Sequence, residues 1–325
     1  VSCSVGVLER QFKVKLTNEI WTGVPIYSAN MDTTGTFETA ITLQKHKMLT
    51  AIHKFYSIKD WENNIEKLDP NFISVTVGQS KEDLQLGQKI FTLNNDIKYL
   101  CIDVANGYRE DFINSVKNYR ESFPDKIIIA GNVATREMTE ALILAGADIV
   151  KIGIGPGSVC TTRSVAGVGY PQLSSISECS DAAHGLGGHV MADGGCKYPG
   201  DVSKAFGAGA DYVMLGGMFA GHKESGGELV TDEEGIQYKD FYGMSSTKAQ
   251  QTYYGDLAEH RAPEGKKVRL RYKGELDKTV QSILGGMRSA CSYVGAKKLK
   301  DLPKSTTFIR VTQTTNEIFT GSENI

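Results

Sequence analysis

The stretch "AGADIVKIGIG" at 145–155 decides the fold. A glycine ends whatever precedes it, a β-branched run follows, and a glycine-rich turn closes the run. Its opening recurs as "AGADYV" at 208–213. Each copy marks a helix end, a glycine turn and a strand start. Before the first copy, Met138, Ala141, Leu142 and Ala145 fall at i, i+3, i+4 and i+7, which puts them on one helical face. Gly146 supplies the stop. Before the second copy, Pro199 stands at a first-turn position and Gly207 near the helix end.

Working outward, the runs 148–155 and 211–218 have six companions. They are "VPIYSANM" (24–31), "MLTAIH" (48–53), "FISVTVG" (72–78), "YLCIDVA" (99–105), "KIIIAGNV" (126–133) and "GGHVMADGG" (187–195). All are near-continuous apolar runs, the pattern of parallel strands buried on both faces. Eight such units with helical crossovers predict an α/β fold, a (β/α)8 TIM barrel, over a single domain at 1–325. An open doubly wound sheet is the second reading. One polar, glycine-rich stretch, about 221–274, breaks the rhythm after strand 8. At that end of a barrel a long insertion reads as a flap over the active site.

Composition narrows the function classes. The 325 residues carry a net charge of −2, which gives no electrostatic case for nucleic acid or an anionic membrane. No apolar run approaches the ~20 residues that span a bilayer. The chain does not start with Met, and a longer protein is the expectation. Cys3, Cys101, Cys160, Cys179, Cys196 and Cys291 are scattered without a C-x-x-C pair, which argues against structural zinc and a disulfide framework. A reducing cytoplasm is the simplest setting.

Barrel chemistry gathers at the C-terminal strand ends. Those ends carry Asn30, Asp32, His53, Lys54, Asp103, Asn106, Asn132, Gly153 to Cys160, Asp193 to Gly195, and Gly216-Gly217. Helix caps and turns explain any one of these, but not polar groups and glycines at all eight ends. The loop "GIGPGSVCTTR" (153–163) is not a dinucleotide fingerprint, because Ser158 replaces the third glycine. Its amides suit an anion and its carbonyls a monovalent cation. Cys160 reads two ways, as a nucleophile activated by loop amides and Arg163 or as a small buried hydrophobe. The glycine pairs after strands 7 and 8 match the place where barrels bind phosphate. "HRAPEG" (260–265) taken alone reads as a solvated loop.

Together, "GIGPGSVCTTR", "GVGYPQLS", "DGGC", "VMLGGMFAGH", "FYGMSS" and "LGGMRSACSYVGA" closely resemble the family shared by inosine-monophosphate dehydrogenase and GMP reductase. The resemblance covers essentially the whole chain. Three features lean to the reductase branch. Only about twenty residues separate His53 from strand 3, too few for the regulatory domain usual in dehydrogenases. "HKFYS", "CIDVANGY" and "AGNV" look like reductase versions. Arg271-Tyr272 follows the "PEG" element instead of preceding it, so the dehydrogenase's water-activating pair is not matched. The resemblance implies NADPH-dependent deamination of GMP to IMP in purine salvage and interconversion, by a homotetramer. Dehydrogenation of IMP, and a nucleotide-binding protein with a dead site, remain the alternatives.

The resemblance also implies residue roles. Cys160 is the nucleophile, forming a thioimidate-type intermediate, and Thr162 with Glu264 the proton-transfer pair. Ser158, Asp193, Gly194, Gly195, Gly216, Gly217, Gly243, Met244, Ser245, Arg261, Ala262, Pro263 and Gly265 align with GMP contacts. Lys54, Asp103, Val104, Ala105, Ile154, Gly155, Met244, His260, Arg261, Ser289, Ala290, Cys291 and Ser292 align with cofactor contacts. Lys54 suits a 2′-phosphate, hence NADPH. Gly155, Gly157, Cys160 and Arg163 match a K⁺ loop. The family's opening β-element before strand 1 is expected to be missing.

Overall fold

The computed structural model describes residues 5–13, 20–254 and 264–312. Ahead of the barrel, β1 (Arg10–Lys13) and β2 (Ile20–Gly23) pair antiparallel. The sequence pattern singles out no strand there, because four-residue polar-apolar alternations carry little signal.

Eight parallel strands then close into a barrel. They are β3 (Ile26–Ser28), β4 (Leu49–Ile52), β5 (Ile73–Val77), β6 (Tyr99–Asp103), β7 (Ile127–Val133), β8 (Ile149–Ile152), β9 (His189–Asp193) and β10 (Tyr212–Leu215). Each coincides with one of the eight apolar runs, and β10 pairs with β3 to close the ring. Helices cover the outside: α1 (Phe37–Leu43), α2 (Ile58–Asn64), α3 (Lys81–Leu93), α4 (Glu110–Ser122) and α5 (Arg136–Leu144). The short α6 (Thr162–Val165) precedes α7 (Gln172–Gly185) and α8 (Pro199–Gly207). After β10 come β11 (Leu229–Thr231), β12 (Gln237–Tyr242), α9 (Thr247–Tyr254), β13 (Lys267–Arg271), α10 (Leu276–Val294) and α11 (Leu302–Ser305). Strands β11, β12 and β13 form an antiparallel sheet within the stretch 221–274. Among the described residues no helix is long and apolar enough to cross a membrane.

Side-chain alternation along each strand sorts the core into shells. Leu100 and Ile102 of β6 pack outward in the cluster shared with Phe112 and Val116 of α4. Tyr99 and Cys101 of the same strand point inward with Ile129, Ile149, Met191 and Met214. Phe12 and Trp21 of the hairpin join this inner cluster. Phe12 stacks on Tyr212 with ring centroids 4.6 Å apart, and Trp21 meets Tyr99 edge-on at 6.4 Å. The N-terminal end of the barrel is thereby filled with rings, each stabilising by roughly 1.5–3 kcal/mol through burial. The same alternation carries polar inward positions to the other end, where β6 finishes at Asp103 and β9 at Asp193.

Candidate active site

The loop after β8 opposes the end of β9. A Cβ on Gly194, whose φ is +87°, would lie 3.1 Å from Pro156 and 3.2 Å from the Gly157 nitrogen. Only glycine permits that approach. A Cβ on Gly217 would meet Ser158 Oγ at 2.9 Å. The structure therefore gathers Ser158, Asp193 to Gly195 and Gly217 at one place, and Gly216 lies against Met31. A third wall comes from the insertion. Lys266 N donates to Val159 O at 2.9 Å, and Gly243 abuts both Gly265 and the Val159 carbonyl. Met244 and Ser245 are half-buried beside them. Glu264 N donates to Ser245 O at 3.1 Å, and Thr161 N donates to Glu264 O at 3.2 Å.

These backbone links bring Glu264 to a residue 102 positions away. Thr162 Oγ1 donates to Glu264 Oε2 at 2.7 Å, and Cys160 Sγ lies 3.2 Å from the same Oγ1. A hydroxyl has one proton. With that proton aimed at Glu264, the Cys160 thiol donates to Thr162. The result is a directional path from sulfur through Oγ1 to the carboxylate. Arg163 braces the same loop. Its Nη2 donates to Tyr170 O at 2.6 Å, and its stem packs against Gly155 and Gly169. Gly155 has φ +80°, and a Cβ there would meet Arg163 Cγ at 2.7 Å. The Gly157 carbonyl accepts Cys160 N at 3.1 Å and keeps a second lone pair.

Across the barrel mouth lie Lys54, Asp103, Val104 and Ala105, with Ile154 half-buried in the β8 loop. Burial pushes the Asp103 carboxyl up, but Lys151, Lys54 and a hydrogen bond from Asn30 outweigh it and hold it below its ordinary value. Lys151 is the residue that sequence reasoning missed. It sits in the apolar run of β8, 2% exposed, with Nζ 2.8 Å from Asp103 Oδ1 and 2.9 Å from Asp193 Oδ2. A lysine inside such a run is the informative exception that could have found it. Asp32 also has an unforeseen environment. It accepts from Tyr242 and, at 2.6 Å, from Tyr253, whose ring stacks on Phe55 with centroids 3.6 Å apart. His53, buried against Tyr56, has its pKa lowered to about 4 by desolvation.

Ser289, Ala290, Cys291 and Ser292 lie on the outer helix α10, not at a strand end, and Cys291 points into the core. His260, Arg261, Ala262 and Pro263 lie outside the described residues.

With this geometry in view, the comparisons are specific. Residues 2–318 match the IMP dehydrogenase / GMP reductase domain. The chain belongs to that family. The GMP reductase of Buchnera aphidicola subsp. Acyrthosiphon pisum (strain Tuc7) is 56% identical over 315 residues, 96% of this chain and 90% of the relative. The GMP reductase of Caenorhabditis elegans is 54% identical over 319 residues, 97% and 89% of the two chains. Human GMP reductase 2 is 55% identical over 316 residues, 96% and 90% of the two. For a member of this family, the closed parallel barrel and the cysteine loop after β8 set the frame in which the site works.

Proposed function

We propose that this protein is a GMP reductase, converting GMP and NADPH to IMP, NADP⁺ and ammonia in purine salvage and interconversion. The Cys160–Thr162–Glu264 hydrogen-bond chain carries the reading, and the family's named relatives support it. Thr162 and Glu264 take the thiol proton, and Cys160 Sγ attacks C2 of the purine. The C2–N bond breaks, and the relay returns a proton to the departing ammonia. That leaves a thioimidate on Cys160, one hard step split into two. A reduced nicotinamide held beside Lys54 and Asp103 would supply the hydride that C2 accepts. The C–S bond then breaks, the sulfur electrons return to Cys160, and a proton taken up from solvent restores the thiol.

Ser158, Asp193 to Gly195, Gly216-Gly217, Gly243 to Ser245 and Arg261 to Gly265 bind the nucleotide in this reading. The glycine approach at Gly194 and the Gly217–Ser158 contact suit a phosphate that needs bare backbone amides. Lys54, with its positive charge at the barrel mouth, suits a 2′-phosphate. Asp103 offers acceptors for a ribose, with Val104, Ala105, Ile154, Gly155, Met244, His260 and Arg261 alongside. Ser289 to Ser292 reach the cofactor from an outer helix in a homotetramer. Gly155, Gly157, Cys160 and Arg163 would hold K⁺, mostly by carbonyl oxygens, which suit a monovalent ion. The stretch 221–274 closes over the site. The cytoplasm is the setting.

The test is nicotinamide absorbance with GMP and NADPH in potassium buffer, beside a second reaction holding IMP and NAD⁺. Loss of the reduced-cofactor signal with one ammonia per turnover is expected in the first. Signal gained only in the second assigns the chain to the dehydrogenase reaction instead.

A further inference from the structure

We propose that Lys151 is a positioning residue that locks Asp103 and Asp193 into one shared arrangement, so that the cofactor and nucleotide sides of the site bind cooperatively. This rests on the reading above that Asp103 serves the cofactor and Asp193 the nucleotide. The two carboxylates come from strands β6 and β9, which are not neighbours. Lys151 reaches both, at 2.8 and 2.9 Å, from β8.

The surrounding backbone is built to admit it. Gly131 on β7 pairs with Asp103 on one side and Lys151 on the other. A Cβ at Gly131 would lie 2.6 Å from Lys151 Cβ and 2.5 Å from its carbonyl oxygen. Asn132 Nδ2 fixes the same Asp193 Oδ2 at 2.9 Å and ties it to Gly153 O at 2.9 Å, at the root of the cysteine loop. Both bonds to Asp193 fall on Oδ2, which leaves Oδ1 to accept from a ligand. Burial alone would lower the lysine's pKa, but the two carboxylates more than offset it and raise it. The charges facing this group are Asp103, Asp193 and, across the mouth, Lys54, with the Cys101 thiol below.

An ammonium shared by two ligand-facing carboxylates cannot reorient one without loosening the other. A ligand that fixes Asp103 thereby prepares Asp193, and coupling of this kind is reciprocal. Calorimetry of GMP binding with and without NADP⁺, which cannot supply hydride, measures it. The wild type should bind GMP more tightly when NADP⁺ is present, within the ~5–150-fold range of such couplings. In a folded Lys151→Met protein the factor should fall to one. Its KM values for GMP and NADPH should rise together. The acid limb of its kcat/KM profile should move to higher pH, because Asp103 then lies without its main counter-charge. Lys151→Arg should restore part of each.

If Lys151→Met does not fold, Asp103→Asn decides, since it should weaken GMP binding several-fold with no cofactor present. Unchanged GMP binding in Asp103→Asn, or one KM rising alone in Lys151→Met, overturns the inference. A wild type that binds both ligands without coupling overturns it too. A wild type that binds neither overturns the functional reading instead.

Discussion

The two ends of this barrel both hold carboxylates among charges, buried at one and half-buried at the other, and they are built differently. At the N-terminal end, Asp211 is 3% exposed and saturated. Arg10 Nη2 reaches Oδ1 at 3.2 Å, while His184 Nε2 (2.7 Å) and Val190 N (3.1 Å) meet Oδ2. The hairpin that brings Arg10 also seals the opening with Phe12 and Trp21. At the C-terminal end, Lys151 binds one oxygen of Asp103 and one of Asp193. Glycines beside them, Gly131 and Gly153, let the neighbouring backbones approach closely. One end spends both carboxylate oxygens of Asp211 on the protein itself, and the other places its bonds to Asp193 on Oδ2 alone. Charge alone would not separate them; the inventory of partners does.

The sharpest way to break this contrast is at the sulfur. Cys160→Ala should lower turnover by on the order of 10⁴-fold or more, the scale of removing a covalent nucleophile, with an unchanged melting temperature. Initial rates and calorimetry check both halves. Thr162→Val should lower kcat by roughly 10²–10⁴-fold, the usual worth of a proton-transfer group, while GMP affinity measured by calorimetry stays put. At the opposite end the effects should trade places. Asp211→Asn should cost about 3 kcal/mol, the low end for a broken buried pair because its partners reach water, with kcat retained. Urea unfolding followed by assays of the folded fraction would show it.

The smallest expected effect is a pH signature of the same end. Its hydrogen bond to Asp211 raises the His184 pKa, so that contribution is complete below about 6.5 and fades as pH rises through the higher folded value. Burial alone would raise Asp211, but its histidine hydrogen bonds and Arg10 hold it below its ordinary 3.8. Its contribution is complete above that value and fades in acid. The Asp211→Asn penalty should therefore peak between about pH 4 and 6.5 and shrink outside it. A penalty flat across pH would mean that the pair adds nothing.

The barrel was legible because eight apolar runs ended in glycines and polar residues, and the strands fall on those runs. Cys160, Thr162 and the loop glycines stood out for their neighbours in sequence. Lys151 did not, since its meaning lies in two carboxylates 48 and 42 positions away. Arg10, Phe12 and Trp21 were invisible for the same reason, as a four-residue strand says little until the barrel it plugs exists. The sheet β11–β13 hid in a polar stretch, because β11 is three residues long and the alternating Val268 and Leu270 of β13 are only half-buried between charged neighbours. Sequence reports local periodicity well, and charge pairing across a fold hardly at all.

The central claim is that Cys160 bonds covalently to the purine during turnover. Acid-quenched intact mass spectrometry of protein turning over GMP with NADPH tests it directly. The account predicts an adduct of one GMP less ammonia, mapping to Cys160. Steady turnover with no adduct, or with one on another cysteine, would contradict it.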